Sequence, residues 1–222
     1  MSPGLSPTAN QQLLLRYPAP LQRHDLFLTA LAQAWCALSG DDHALVLLER
    51  HGRISFGQPA PMLAMGWFVC HYPVRIPHQP GMSAIEQVNR TQRLMAEVPG
   101  DGVGYGLLLK TCRDEAVQQA MRALRRPRLK LIYRGSIDDG FRADATFPVI
   151  GSESLAQAYY DAQERSGDNC HAELYVSMIR GTVSWTLQYA PKFFDEIRAQ
   201  ALLNEIDKLI SAVTTQLDAA PG

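Results

Sequence analysis

The sequence predicts an α/β layer structure, a mixed sheet packed against helices in one unit. Three observations lead there. Ala44–Leu48 (A-L-V-L-L) is an unbroken apolar run bounded by Asp41-Asp42 and by the turn glycine Gly52, which fits a core strand covered on both faces. Val183, Trp185, Leu187 and Tyr189 alternate with Thr182, Ser184, Thr186 and Gln188, and Arg180-Gly181 turns the chain between this run and His171–Ile179, which makes a hairpin. Helical periodicity separates the strand candidates, so the element order is α, β, β, α, α, β, β, β, α, with no internal repeat.

Taken in order, residues 1–23 carry Pro3, Pro7, Pro18 and Pro20 with little periodicity and read as an extended arm or linker. Asp25–Leu38 is apolar nearly all round, a buried helix stopped at Ser39-Gly40. The strand Ala44–Leu48 follows and delivers Glu49, His51 and Arg53 onto the turn at Gly52. Gly66–Ile76 is rich in aromatic and β-branched residues and reads as a strand, with Pro73 placing part of it at an edge or bulge. Ser83–Val98 is an amphipathic helix opened by a Ser83/Glu86 capping box and ended by Pro99. The loop Pro99–Gly106 (P-G-D-G-V-G-Y-G) lacks the Lys-Ser/Thr of a phosphate loop and follows a helix, so its glycines point to close approach of the backbone to a ligand or another segment. Glu115–Leu124 is a helix closed by Pro127, and Leu129–Gly135 is a strand. Ser136–Ser154 is an acidic loop region. After the hairpin, Phe194–Leu217 is an amphipathic helix with Ile197, Leu202, Ile206, Leu209, Ile210 and Val213 on one stripe.

Composition narrows the function. The chain has 222 residues, 46% hydrophobic and 19% charged, with a formal net charge of −1, an ordinary globular balance that argues against non-specific nucleic-acid binding and a membrane-surface role. No secretory signal and no run of ~18 apolar residues is present, so a cytoplasmic location is expected. Cys36, Cys70, Cys112 and Cys170 are widely spaced and read as buried free thiols, and no metal site is expected. Glu49 sits where the apolar run stops. Partial desolvation there raises a carboxyl pKa towards the range of a general base.

These stretches together resemble the C-terminal lobe of the condensation-type domains of non-ribosomal peptide synthetases, most closely the epimerization subtype, from about His24 to Leu217. D-L-F-L-T-A-L-A is similar to the family's N-D-L-L-L-T-A-L, and L-E-R-H-G-R to V-E-G-H-G-R-E. G-W-F-V followed by Tyr72-Pro73 is similar to R-T-V-G-W-F-T. P-G-D-G-V-G-Y-G fits P-x-x-G-x-G-Y-G, and L-I-Y-R-G takes the place of F-N-Y-L-G. The resemblance implies a single chloramphenicol-acetyltransferase-like lobe over residues 24–217, half of a two-lobe fold, with a tail at 218–222.

It also implies a reaction. A phosphopantetheine arm of a partner carrier protein brings an aminoacyl or peptidyl thioester into a tunnel between lobes, and the α-proton is removed and returned on the opposite face. The chain itself binds no cofactor. Glu49 is the implied acid/base group and Tyr133 the implied phenol near it, the two meeting across the site. His51 and Arg53 orient the loop. Trp67, Gly102, Gly104 and Tyr105 belong to the tunnel wall. Partners implied are a peptidyl carrier protein and an N-terminal lobe, supplied by another chain or by a homodimer that covers Trp67, Phe68, Tyr105 and Leu107. The family's H-H-x-x-x-D-G motif is absent. Arg50 stands for a Gly, Ile132 for an Asn and Leu63-Ala64 for Arg-Thr, so the chain alone is expected not to turn over. Two other readings remain open: a docking protein or inactive remnant, and an acyltransferase whose histidine would be His51, His71 or His78.

Overall fold

A computed structural model describes residues 5–54, 64–66, 68–136 and 170–218. Five strands form one mixed sheet: β1 (His43–Arg50), β2 (Cys70–Pro77), β3 (Leu129–Ser136), β4 (Ala172–Ile179) and β5 (Thr182–Tyr189). Their order is β2-β1-β3-β4-β5. β1 runs antiparallel to β2 and parallel to β3, β3 is parallel to β4, and β4–β5 is the hairpin. Arg180 and Gly181 both have positive φ, 51° and 72°, the geometry that matches a two-residue hairpin to strand twist. Pro73 lies in β2, the edge strand, where its missing N–H leaves no hole in the ladder.

Among the described residues the helices are α1 (Pro7–Arg16), α2 (Pro20–Ser39), α3 (Ala84–Ala96), α4 (Val103–Thr111), α5 (Glu115–Ala123) and α6 (Glu196–Asp218), with a 3₁₀ turn at Pro99–Gly102. α2 is buried nearly all round, closed by Gly40 at φ 74°, and packs against α3, α6 and the sheet. Ser83 and Glu86 cap α3 reciprocally. Trp185 on β5 lies 5.2 Å from the Phe27 ring of α2 and donates its indole N–H to Asp207 of α6 at 2.7 Å, locking both helices to the sheet. The core is the sheet face carrying Ala44, Val46, Leu48, Leu129, Leu131, Leu174, Val176 and Trp185.

Several expectations are corrected. The proline-rich start is not extended. Ser6 caps α1 and Pro7 takes its first turn, where a missing N–H costs nothing. Leu13 is fully buried, and the Asn10 side chain donates to Gly181 O and accepts from Val183 N in the hairpin. The glycine loop runs directly into α4. β1 is covered unequally on its two faces: Ala44, Val46 and Leu48 are buried, whereas Leu45, Leu47 and Glu49 are half-buried. Ile197 lies outside the α6 stripe, 83% exposed, because Ala199, Leu202 and Leu203 take the core-facing positions of the first turns. Of the four cysteines only Cys36 is buried, and burial pushes its thiol up to about 11. The region expected to loop from Ser136 to Ser154 lies, past Ser136 itself, outside the described residues. Among the described residues no helix is long and apolar enough to cross a membrane, and no three metal-ligating side chains cluster.

Candidate active site

Strand alternation decides which side chains can meet. On β1, Val46 and Leu48 point at the helices, so Glu49 points from the other face. Opposite it in the antiparallel register stands His71. On β3, Leu129 and Leu131 face the helices, which puts Lys130 and Ile132 on the face of Glu49. The three polar groups meet: Glu49 Oε2 lies 3.0 Å from His71 Nε2 and 3.3 Å from Lys130 Nζ. Their side chains are 26%, 41% and 9% exposed, so His71 is outermost and Lys130 deepest.

The carboxyl of Glu49 is held below the usual carboxylate range. The His71 hydrogen bond is the largest cause and Lys130 adds to it, while burial pushes the other way. The upward shift expected from desolvation alone is therefore overturned, because two donors favour the ionised form more than burial disfavours it.

Tyr133 follows Leu129 and Leu131 onto the helix face. Its hydroxyl accepts from Arg23 Nε at 2.9 Å, and its ring meets His24 edge-on at 6.3 Å between centroids. Glu49 and Tyr133 thus project from opposite faces, which removes the pairing expected between them. Around Tyr133 the network is buried: Arg23 also donates to the carbonyls of Tyr17 and Pro18, and Asp25 holds His24 Nδ1 at 2.9 Å. Burial lowers the His24 pKa, and Arg50 opposes its protonation too.

The remaining expected residues shape the backbone. His51 is exposed and its Nδ1 accepts from Arg53 N at 3.1 Å. Arg53 lies over the Phe68 ring, 4.2 Å from its centroid, and donates to Ala64 O. Between them a Cβ on Gly52, at φ 56°, would stand 2.2 Å from Phe68 O. Gly102, at φ 79°, lies so close to Tyr72 that a Cβ would sit 2.0 Å from its ring. The close approach expected of that loop is to another chain segment. Gly104 faces open space, and Tyr105 is half-buried against the core. Trp67 lies outside the described residues. α4 presents Leu107, Leu108 and Leu109 at 49, 46 and 38% exposure.

Lys130 was not among the expected site residues, although alternation in L-K-L-I-Y-R places it on the face opposite Tyr133. His71 was singled out only as an acyltransfer histidine; what identifies it is β1–β2 register, which a sequence does not carry. A shallow cleft lined by Trp35, Asp41, His43, Arg125, Arg126 and Arg128 lies at the other end of β1 and holds none of these residues.

Comparison with known proteins puts this arrangement in context. Bacitracin synthase 2 of Bacillus licheniformis is 28% identical over 220 residues, covering 95% of this chain and 8% of its own length. Tyrocidine synthase 1 of Brevibacillus parabrevis is 24% identical over 220 residues, covering 94% of this chain and 20% of its own. Among solved structures, the epimerization domain from the third module of tyrocidine synthetase B superposes with a TM-score of 0.73 at 20% identity, over 98% of this chain and 48% of that one. The condensation domain of the Monacolin K polyketide synthase gives 0.65 at 16% identity, over 96% and 46%. The chain thus spans about half of these solved domains and a small share of the synthases. Its five-stranded mixed sheet with packed helices is the fold of half of a condensation or epimerization domain. The Condensation domain family matches residues 18–220, nearly the whole chain, and it is to this family that the protein belongs.

Proposed function

We propose that this chain is the C-terminal lobe of an epimerization-type domain of non-ribosomal peptide synthesis. It works with an N-terminal lobe on an aminoacyl or peptidyl thioester carried by the phosphopantetheine of a carrier protein. The reaction is removal and return of the α-proton, giving a mixture of L and D forms. The observation that carries the reading is Glu49, half-buried on the face of β1 away from the helices, ionised and joined to His71 and Lys130. Glu49 belongs to the acid/base machinery; Tyr133 supports the sheet–helix packing instead. The lobe alone does not turn over, since half a tunnel cannot hold the arm in register, and positioning accounts for roughly 7–11 kcal/mol of such a barrier. The test is exchange of the α-proton for deuterium in a loaded carrier protein, followed by chiral analysis. The chain alone gives none, and a matching N-terminal lobe restores it. Turnover by the chain alone sinks the two-lobe requirement.

A second reading has its own support. A carboxylate already matched by His71 and Lys130 is also what a structural ion pair needs, which favours a docking protein. Carrier-protein binding without exchange in any reconstituted pair selects that reading.

A further inference from the structure

The shallow cleft at the far end of β1 gathers cations without matching them. Arg125, Arg126 and Arg128 are exposed along it, beside Trp35, Leu45 and Leu129. The stretch Arg122–Lys130 carries five cations and no carboxylate, in a chain whose formal net charge is −1. Asp41, the carboxylate of the cleft, accepts the Trp35 indole N–H at 3.0 Å and feels Arg125 and Arg128 at longer range. Asp42, next to it, is taken by His43 and by Arg75. Among the described residues no carboxylate comes within ion-pair distance of Arg125 or Arg128. Guanidiniums stay charged at neutral pH, and their forked donors match the oxygens of a phosphate.

Strand geometry ties this cleft to Glu49. Alternation puts Leu45 and Leu47 on the face of β1 that carries Glu49, and Leu45 lines the cleft. Arg128 precedes β3 in phase with Lys130, which meets Glu49. From His43 to Glu49 the strand spans about 20 Å. A phosphopantetheine arm has about fifteen backbone bonds from phosphorus to the α-carbon of its aminoacyl group, as many as five residues, and reaches roughly 17 Å. The arginine and glutamate side chains close the difference. We propose that Arg125 and Arg128 bind the phosphate at the root of the carrier protein's arm, and that Leu45 and Leu47 flank the arm on its way to Glu49; the assignment rests on the epimerization reading above. A shallow cleft suits a phosphate still joined to a protein surface, because the protein behind it stays outside.

Two measurements on the full chain test this. In the first, a carrier protein is titrated with and without its arm. The arm-bearing form binds more tightly, and Arg125→Ala combined with Arg128→Ala weakens it about tenfold or more, to the level of the bare form. Arg125→Lys combined with Arg128→Lys keeps part of the gain, since lysine holds the charge without the fork. Arm-bearing carrier that binds the alanine pair as it binds wild type overturns the proposal. Bare carrier that binds as tightly and is as sensitive to the alanine pair assigns the cleft to carboxylates of the carrier surface and overturns the phosphate. In the second, α-deuterium exchange is followed at varied carrier concentration with a partner lobe bearing the H-H-x-x-x-D-G motif. The alanine pair raises KM for the loaded carrier about tenfold and leaves kcat within about twofold, whereas Glu49→Gln lowers kcat. An unchanged KM overturns the proposal and leaves the epimerization reading standing. Absence of wild-type exchange in every pair overturns that reading, and the binding comparison still decides what the cleft holds.

Discussion

Glu49 and His24 titrate on opposite faces of the sheet and in different pH windows. The folded pKa of Glu49 lies below its ordinary value near 4.5, so its stabilisation is present above that value and is lost as pH falls through the folded one. We expect Glu49→Gln to cost about 1–2 kcal/mol at neutral pH, the worth of a charge-assisted hydrogen bond, with the gap from wild type closing as urea melts move below pH 4. His24 has the opposite chemistry. Its folded pKa lies below the ordinary 6.5, so the unfolded chain takes up a proton first and stability falls as pH drops below 6.5. The slope there reaches at most about 1.4 kcal/mol per pH unit, and His24→Asn should flatten it. A wild-type profile level between pH 6.5 and 5 would refute this. Gly102 and Gly104 make a third contrast: Gly102→Ala drives a Cβ into the Tyr72 ring and should cost about 2–3 kcal/mol, while Gly104→Ala, in open space on a helix, is neutral or slightly stabilising. At this scale the sequence exposed Glu49 through its place at the end of an apolar run. Its partners were hidden because they come from β2 and β3, 22 and 81 positions away.

α1 shows where reading by period fails. An amphipathic stripe needs several buried positions, and α1 buries one, Leu13, so its signal lay in Ser6-Pro7 rather than in periodicity. Leu13→Ala should cost about 2–4 kcal/mol, and Leu15→Ala, at a site 69% exposed, close to nothing; chemical denaturation of both distinguishes a docked helix from a loose arm. α4 was missed for another reason. Gly104 and Gly106 lower its intrinsic helicity, and packing on β2 restores what propensity withholds. α2, α3 and the β4–β5 hairpin were legible because local chemistry and tertiary demand agree in them.

For the molecule as a whole, the mixed sheet followed from interleaved helices and strands, but parallel pairing of β1, β3 and β4 did not, since strand order is a tertiary choice. α4 exposes Leu107, Leu108 and Leu109; of the residues expected at a partner surface Leu107 is among these, whereas Phe68 and Tyr105 are half-buried. If a partner lobe covers α4, light scattering of the chain with that lobe should give a 1:1 complex, and Leu108→Glu should weaken it; a pair that stays separate at high concentration refutes the contact. The Asn10 contacts have a consequence for folding. They join positions 171 residues apart, from the chain's first helix to its last hairpin. The Asn10 bonds cannot form until residue 183 has been made and β5 has paired. Docking of α1 therefore waits on these long-range contacts and comes late in the folding of this unit.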